Sequence, residues 1–277
     1  MQSKKSTFIL LISFFIGLSV LLYPSISSYW NSKTMSEAIV DYEAMLASYK
    51  PEDYTALFQA AEDYNEELKN LPNPFTDHYK LRQYGDILNL SGTGMMGYIT
   101  IPKIGIELPV YHGTSEAVLS IAVGHLEGSS LPVGGEGTHC VVSAHRGLPT
   151  AVLFTHLDKM EIGDTFSFTI LDRTLTYEVD QIRIVDPTDL SLIQIEEGKD
   201  YCTMLTCTPY GINTQRLLVR GHQVDASQIS NLYIANEAYR VDTLIVMPMV
   251  ALPIIMVLLI YVMFAPVKKE TLGEETI

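Results

Sequence analysis

A thiol and a guanidinium stand nine positions apart in TCTPYGINTQR, residues 206–216. Pro209, Gly211 and Asn213 lie between them and favour turns, so the stretch reads as strand, loop, strand. A hairpin there would return Arg216 to the side of Cys207. A neutral thiol is a poor nucleophile, and near pH 7 only a few per cent of an ordinary cysteine is thiolate, so it needs a base or a nearby positive charge. The candidate base is His145, which closes the apolar run of VVSAHRG just before a glycine turn. On extended strands Thr203, Leu205 and Cys207 share one face, as do Val141, Ser143 and His145. A guanidinium beside the thiol could bind the oxyanion of a tetrahedral intermediate, an effect of about 3 kcal/mol per good donor. Each residue also has an ordinary reading: Cys207 a buried core thiol, His145 a surface histidine, Arg216 a solvated arginine. Spacing alone leaves both readings open.

The elements that must position these groups change character along the chain. Residues 33–70 read as helix: MSEAIVDYEAMLASY is acidic on one side and apolar on the other, and Pro51 breaks it. The helix restarts in EDYTALFQAAEDYNEELKNL, with Tyr54, Leu57, Phe58, Ala61, Tyr64 and Leu68 at roughly helical spacing. NLPNPFTDHYK, residues 70–80, reads as a loop. From Gly97 onward, β-branched runs separated by Gly, Pro and Asp predict an all-β barrel or sandwich. The runs are 97–113, 138–147, 164–187, 200–209 and 215–224.

Two stretches are too apolar for a soluble surface. No charge occurs from Ser6 to Ser32 or from Thr243 to Ala265. The 23 residues of the second rise about 35 Å as a helix, enough for a hydrocarbon core of about 30 Å. The first, centred on Thr7–Tyr23, reads as an uncleaved anchor; a cleaved signal peptide, with SIS at 25–27 as a weak site, is the alternative. Lys4 and Lys5 before the first span, and Lys268 and Lys269 after the second, predict two cytoplasmic termini and an extracellular segment 24–242. That segment carries 14 basic and 29 acidic residues, which argues against a nucleic-acid partner and against docking on anionic lipid. Cys140, Cys202 and Cys207 make no disulfide framework and lack metal-ligand spacing.

TMLTCTPYGINTQRLLVRG (203–221) resembles the sortase signature TLxTC followed by an arginine, and residues 101–164, with SAHRGLPTA around the histidine, resemble the middle of the same family. The likeness covers roughly 91–225. The two anchors and the helical extension resemble class C, the pilus-assembling sortases of Gram-positive bacteria. The resemblance implies a mainly β fold: an eight-stranded sortase barrel with an N-terminal helical extension and two flanking transmembrane helices. It implies Cys207 as nucleophile, His145 as general acid/base and Arg216 as oxyanion or substrate stabiliser, with no metal or nucleotide cofactor. An LPxTG-like sorting signal would be cleaved between Thr and Gly through a thioester and passed to a lysine amine of the next pilin subunit. The partners would be pilin subunits and, through the two helices, membrane lipid. The expected layout is a tail and anchor (1–32), an extracellular helical extension with a lid loop at 70–80 (33–90), the catalytic barrel (91–225), a linker (226–242), a second transmembrane helix (243–265) and a cytoplasmic tail (266–277).

Some positions depart from the family pattern. The lid of this family carries Asp-Pro and an aromatic residue; here the matching residues are Asn73, Pro74 and Phe75. Asn73 can hydrogen-bond to Arg216 but cannot form an ion pair with it, so a more loosely held lid is expected, the alternative being a simple connecting loop. Met204 replaces a leucine at similar volume. Cys140 lies five residues before His145 and Cys202 five before Cys207, so on parallel neighbouring strands, as the family fold implies, the two thiols would stand level. Two buried thiols are the expectation and a disulfide the alternative. His112, His125, His139 and His156 read as structural or groove-lining. Two rival functions stay open: a housekeeping-type sortase attaching proteins to peptidoglycan precursor, and a non-catalytic membrane-tethered binding module.

Overall fold

The computed structural model describes residues 2–81 and 83–225, together with Ile255. The expected linker, second transmembrane helix (243–265) and C-terminal tail lie outside the described residues. The chain divides into two compact units at Ile26–Ser27.

Helix α1 (Gln2–Leu46) runs through Pro24 without interruption. The sequence predicted an anchor and a separate extension helix. A proline forfeits one helical hydrogen bond, and the remaining bonds of a 45-residue helix outweigh that loss. The apolar residues Phe8, Phe15, Ile16, Val20 and Tyr23 of its N-terminal part are exposed. Past Ser27 the helix becomes amphipathic, and Met35, Ile39 and Tyr42 recur at one-turn spacing and are buried. The Tyr42 hydroxyl donates to the Met96 carbonyl at 2.8 Å and accepts from the Leu171 amide at 2.9 Å. One side chain thereby joins the helix to two parts of the barrel.

Helix α2 spans Pro51–Lys69. Pro51 does more than break the preceding helix: it occupies the first position of α2, where no backbone N–H is needed. Phe58, Ala61, Tyr64 and Leu68 are buried in the main core, with Tyr54 and Leu57 packed at its edge. Asn65 exchanges two hydrogen bonds with the backbone of Leu131, fixing α2 to the barrel.

The remainder is a closed barrel in the order β1-β2-β3-β4-β7-β8-β6-β5. Its strands are β1 (Met95–Ile101), β2 (Ile106–His112), β3 (Val123–His125), β4 (Thr138–Ser143), β5 (Thr165–Ile170), β6 (Arg173–Val185), β7 (Asp200–Thr208) and β8 (Gln215–Val224). All but β3 match the predicted runs, β1 starting two residues before the first of them. With three residues, β3 is too short to show a period; pairing creates it, parallel to β2 and antiparallel to β4. β4 and β7 are parallel neighbours. Inward side chains such as Ile99, Val142, Met204, Phe166 and Val219 fill the barrel.

Candidate active site

Strand β7 alternates between two environments. Cys202 and Met204 point into the barrel core, whereas Leu205 packs on a second apolar cluster outside it with Val141, Ile193 and Leu218. Cys207 has the parity of Leu205 and lies on that outer face. In the antiparallel β7–β8 pair Cys207 stands directly opposite Arg216, and such partners have Cβ atoms roughly 4.5–5.5 Å apart. The predicted hairpin therefore forms and brings the thiol and the guanidinium together.

His145 approaches from β4. The β4–β7 pairing ends at Ser143 and Leu205. Two further bonds continue the alignment: the Ala144 amide donates to the Leu205 carbonyl (3.2 Å), and the Thr206 hydroxyl donates to the Ala144 carbonyl (2.8 Å). Continued by two residues, this register brings His145 level with Cys207. His145 Nε2 lies 3.5 Å from Glu116 Oε2, on the short helix α4 (Glu116–Leu119), without hydrogen-bond geometry.

Arg216 is held by its own loop. Its Nη1 donates to the carbonyls of Asn213 (3.3 Å) and Gln215 (3.0 Å). The side-chain hydrogen bond that Asn73 could make to Arg216 is not formed. Asn73 instead begins helix α3 (Pro74–Asp77), its carbonyl accepting from the amides of Thr76 and Asp77.

Phe75 of the same segment packs on the outer apolar cluster, against the group that includes Val141, Leu205 and Leu218. The backbone of this segment rests on Gly128, where an added Cβ would lie 2.7 Å from Phe75 Cα. His78 bonds through Nδ1 to the Phe75 carbonyl (3.2 Å), and its Nε2 lies 3.2 Å from Glu127 Oε2. His78 and Glu127 thus contact each other on the side of the segment away from Asn73. A cavity of about 440 Å³ remains between Phe75, His78, Ser115, Leu126, Glu127 and Leu190.

The other histidines support the frame. His139 bonds through Nδ1 to the Gln194 carbonyl and through Nε2 to the Thr203 hydroxyl, both at 2.8 Å. The carbonyl fixes Nδ1 as donor, so Nε2 accepts. Burial pulls the pKa of this ring below the usual histidine value. His125 joins Tyr84 of the helical extension to the Ser130 carbonyl. Cys140 and Cys202 are register partners and both are free buried thiols; burial pushes the Cys202 thiol well above its ordinary pKa. The disulfide alternative is not formed.

Sequence reasoning missed Glu116, Glu127, His78 and Gly128, because their roles depend on segments far apart in the chain. It also passed over Arg146, although adjacency to His145 was a signal that could have been used.

Residues 99–224 match the family described as Sortase domain. The chain is 49 % identical to sortase C1 from Streptococcus agalactiae, whose crystal structure covers 68 % of this chain and 98 % of its own with a TM-score of 0.64. It is 45 % identical to Clostridium perfringens sortase C, solved with the C-terminal cell wall sorting motif (69 % of this chain, 99 % of that one, TM-score 0.61). It is 32 % identical over 131 residues to Sortase D of Bacillus subtilis (strain 168), a match spanning 46 % of this chain and 63 % of that relative's length. A closed eight-stranded barrel with this likeness defines the class: the chain belongs to the sortase family. The solved structures it is similar to are class C sortases.

Proposed function

We propose that the chain is a membrane-anchored cysteine transpeptidase that joins pilin subunits. One observation carries the reading: Cys207 and Arg216 are direct cross-strand partners on an outer face whose apolar cluster is covered by Phe75. A nucleophile, a cation and an apolar floor suit an extended peptide with small apolar side chains. The Cys207 thiolate attacks the threonine carbonyl carbon of an LPxTG-like signal. Arg216 stabilises the oxyanion that forms. The Thr–Gly bond breaks, His145 gives its proton to the leaving glycine amine, and a thioester to Cys207 remains. A lysine amine of the next subunit then attacks the thioester, His145 takes a proton from it, and the isopeptide product leaves with the thiol restored.

The anchoring part rests on α1, which is long and apolar enough to cross a membrane, a property shared by membrane spans and signal sequences. Its exposed apolar residues, ending near Tyr29 and Trp30, fit lipid contact with aromatic groups at the interface. Both termini inside, two passes and an extracellular barrel complete the reading. Anchoring would raise the effective concentration of enzyme and membrane-held substrate. Asn73, Pro74 and Phe75 act as an active-site cover, and the division into anchor, extension, barrel and second span follows the boundaries given above.

The test is mass spectrometry of the full chain in detergent with an LPxTG-type peptide, beside Cys207→Ala. An adduct of the acyl part through threonine, present only with Cys207, is expected. A parent chain that binds the peptide but forms neither adduct nor product would overturn the reading in favour of a binding module. Transfer to a peptidoglycan-type amine but never to a pilin lysine would favour the housekeeping role.

A further inference from the structure

We propose that Arg146 is a positioning residue that holds His145 opposite Cys207 by tying the ends of their two strands together. The inference rests on the catalytic reading of that pair. Arg146 follows His145 directly, and its side chain is only 9 % exposed. Its Nη1 donates to Thr208 Oγ1 at 3.3 Å, and Thr208 follows Cys207 directly. Its Nη2 lies 2.6 Å from Asp158 Oδ2. Its Cζ is 5.9 Å from the centre of the Tyr210 ring. One guanidinium thus touches the His145 turn, the end of the Cys207 strand, the loop toward Arg216 and the turn that carries Asp158.

The backbone makes such a tie necessary. The β4–β7 alignment is hydrogen-bonded only as far as Ala144 and Thr206. Beyond it, the His145 turn is held by the Phe154 amide on the His145 carbonyl and by the Gly147 amide on Thr155 Oγ1. Both bonds run toward residues 154–155 and leave the distance to β7 free. Arg146 supplies a link across that gap. The packing is close: Gly147 has φ +80, and a Cβ there would lie 2.9 Å from the Tyr210 ring. A nearly buried guanidinium is costly unless paired, and Asp158 meets that requirement. Lysine would lose the planar fork that reaches two partners at once.

The same geometry separates positioning from mere stability. Arg146 Nε is buried and has no acceptor among the described residues, so the side chain is incompletely satisfied where it stands. A residue selected for stability alone would be replaceable there by an apolar one of similar volume. Thr208 is the cleaner handle, because Thr208→Val removes one hydroxyl at nearly constant shape and leaves Arg146 with Asp158.

The experiment uses the full chain in detergent, with Arg146→Lys, Thr208→Val and Thr208→Ser. The readouts are kcat and KM for peptide cleavage, the rate of Cys207 alkylation by iodoacetamide against pH, and Tm. Positioning predicts that Arg146→Lys and Thr208→Val lower kcat by about tenfold or more with KM within about threefold, since small misplacements of reacting groups are that costly. It also predicts that the alkylation profile changes and that Thr208→Ser, which restores the hydroxyl, recovers both. Folded Arg146→Lys and Thr208→Val proteins with kcat within threefold and the parent's alkylation profile would overturn it, as would losses that follow Tm alone and are not rescued by serine. If the parent chain cleaves no peptide, the catalytic reading fails by itself, and the alkylation profiles still decide whether Arg146 sets the surroundings of Cys207.

Discussion

Replacing Gly128 by alanine should open the lid. Gly128 has φ +89, and an added Cβ would lie 2.7 Å from both Phe75 Cα and the Pro74 carbonyl oxygen. Those atoms are backbone and cannot turn aside, so the lid must retreat by roughly 0.7 Å to reach ordinary contact at 3.4 Å. A gap of that size forfeits about a quarter to a half of the dispersion contact. Full burial of a phenylalanine contributes about 1.5–3 kcal/mol, and Phe75 is only partly buried, so roughly 0.5–1 kcal/mol is lost there. The neighbouring Glu127 would shift from His78, and an exposed pair of this kind adds at most about 1 kcal/mol. The closed state should weaken by about 1–2 kcal/mol, raising the open fraction roughly 5- to 30-fold. The backbone strain of alanine at positive φ burdens open and closed states alike and drops out. Cys140 and Cys202 are buried, so alkylation of the folded chain reports on Cys207. The alkylation rate should rise severalfold or more, and the gain should vanish in a Phe75→Ala background, where the lid has already lost its plug. A folded Gly128→Ala protein that labels within twofold of the parent would refute the reasoning, as would an equal gain in both backgrounds.

Asn73→Asp would offer the Arg216 guanidinium a carboxylate, and labelling and peptide cleavage should both slow about two- to fivefold, in line with an exposed ion pair; unchanged rates would dismiss a lid-electrostatics role. Tyr42→Phe strips the Met96 carbonyl of its donor and the Leu171 amide of its acceptor, at a cost of about 1–3 kcal/mol, read as a lowered urea midpoint. Burial holds the pKa of His139 and His112 below the usual histidine value, so the unfolded chain binds more protons near neutrality. Their contribution is complete above about pH 6.5 and declines as pH falls, by up to about 1.4 kcal/mol per pH unit for each ring. Urea midpoints between pH 7.5 and 5 should show that decline, and His139→Gln should flatten it; an unchanged slope would exclude His139 as a source. Thiol counting should give three reactive cysteines in denaturant and one in the folded chain, and a single thiol in denaturant would contradict the free Cys140–Cys202 pair.

Much of the frame was legible because it depends on short-range periodicity. Tyr54, Phe58, Ala61, Tyr64 and Leu68 repeat at helical spacing and do line the buried side of α2. The β-branched runs became strands, and the turn residues between Cys207 and Arg216 forced a hairpin whose register follows from its loop. Tertiary structure decided the rest. β3 exists because β2 and β4 offer it partners, a cause no three-residue window contains. Pro51 read as a breaker, yet it begins α2, while Pro24 lies inside α1, according to which backbone donors each position needs. Asn73 gave no sign that His78, Glu127 and Gly128 contact its segment from outside the motif. Side-chain alternation along a strand is local and can be read from residue types. Contacts such as Arg146 with Thr208 join positions 62 apart in the chain, and only the closed barrel sets that distance.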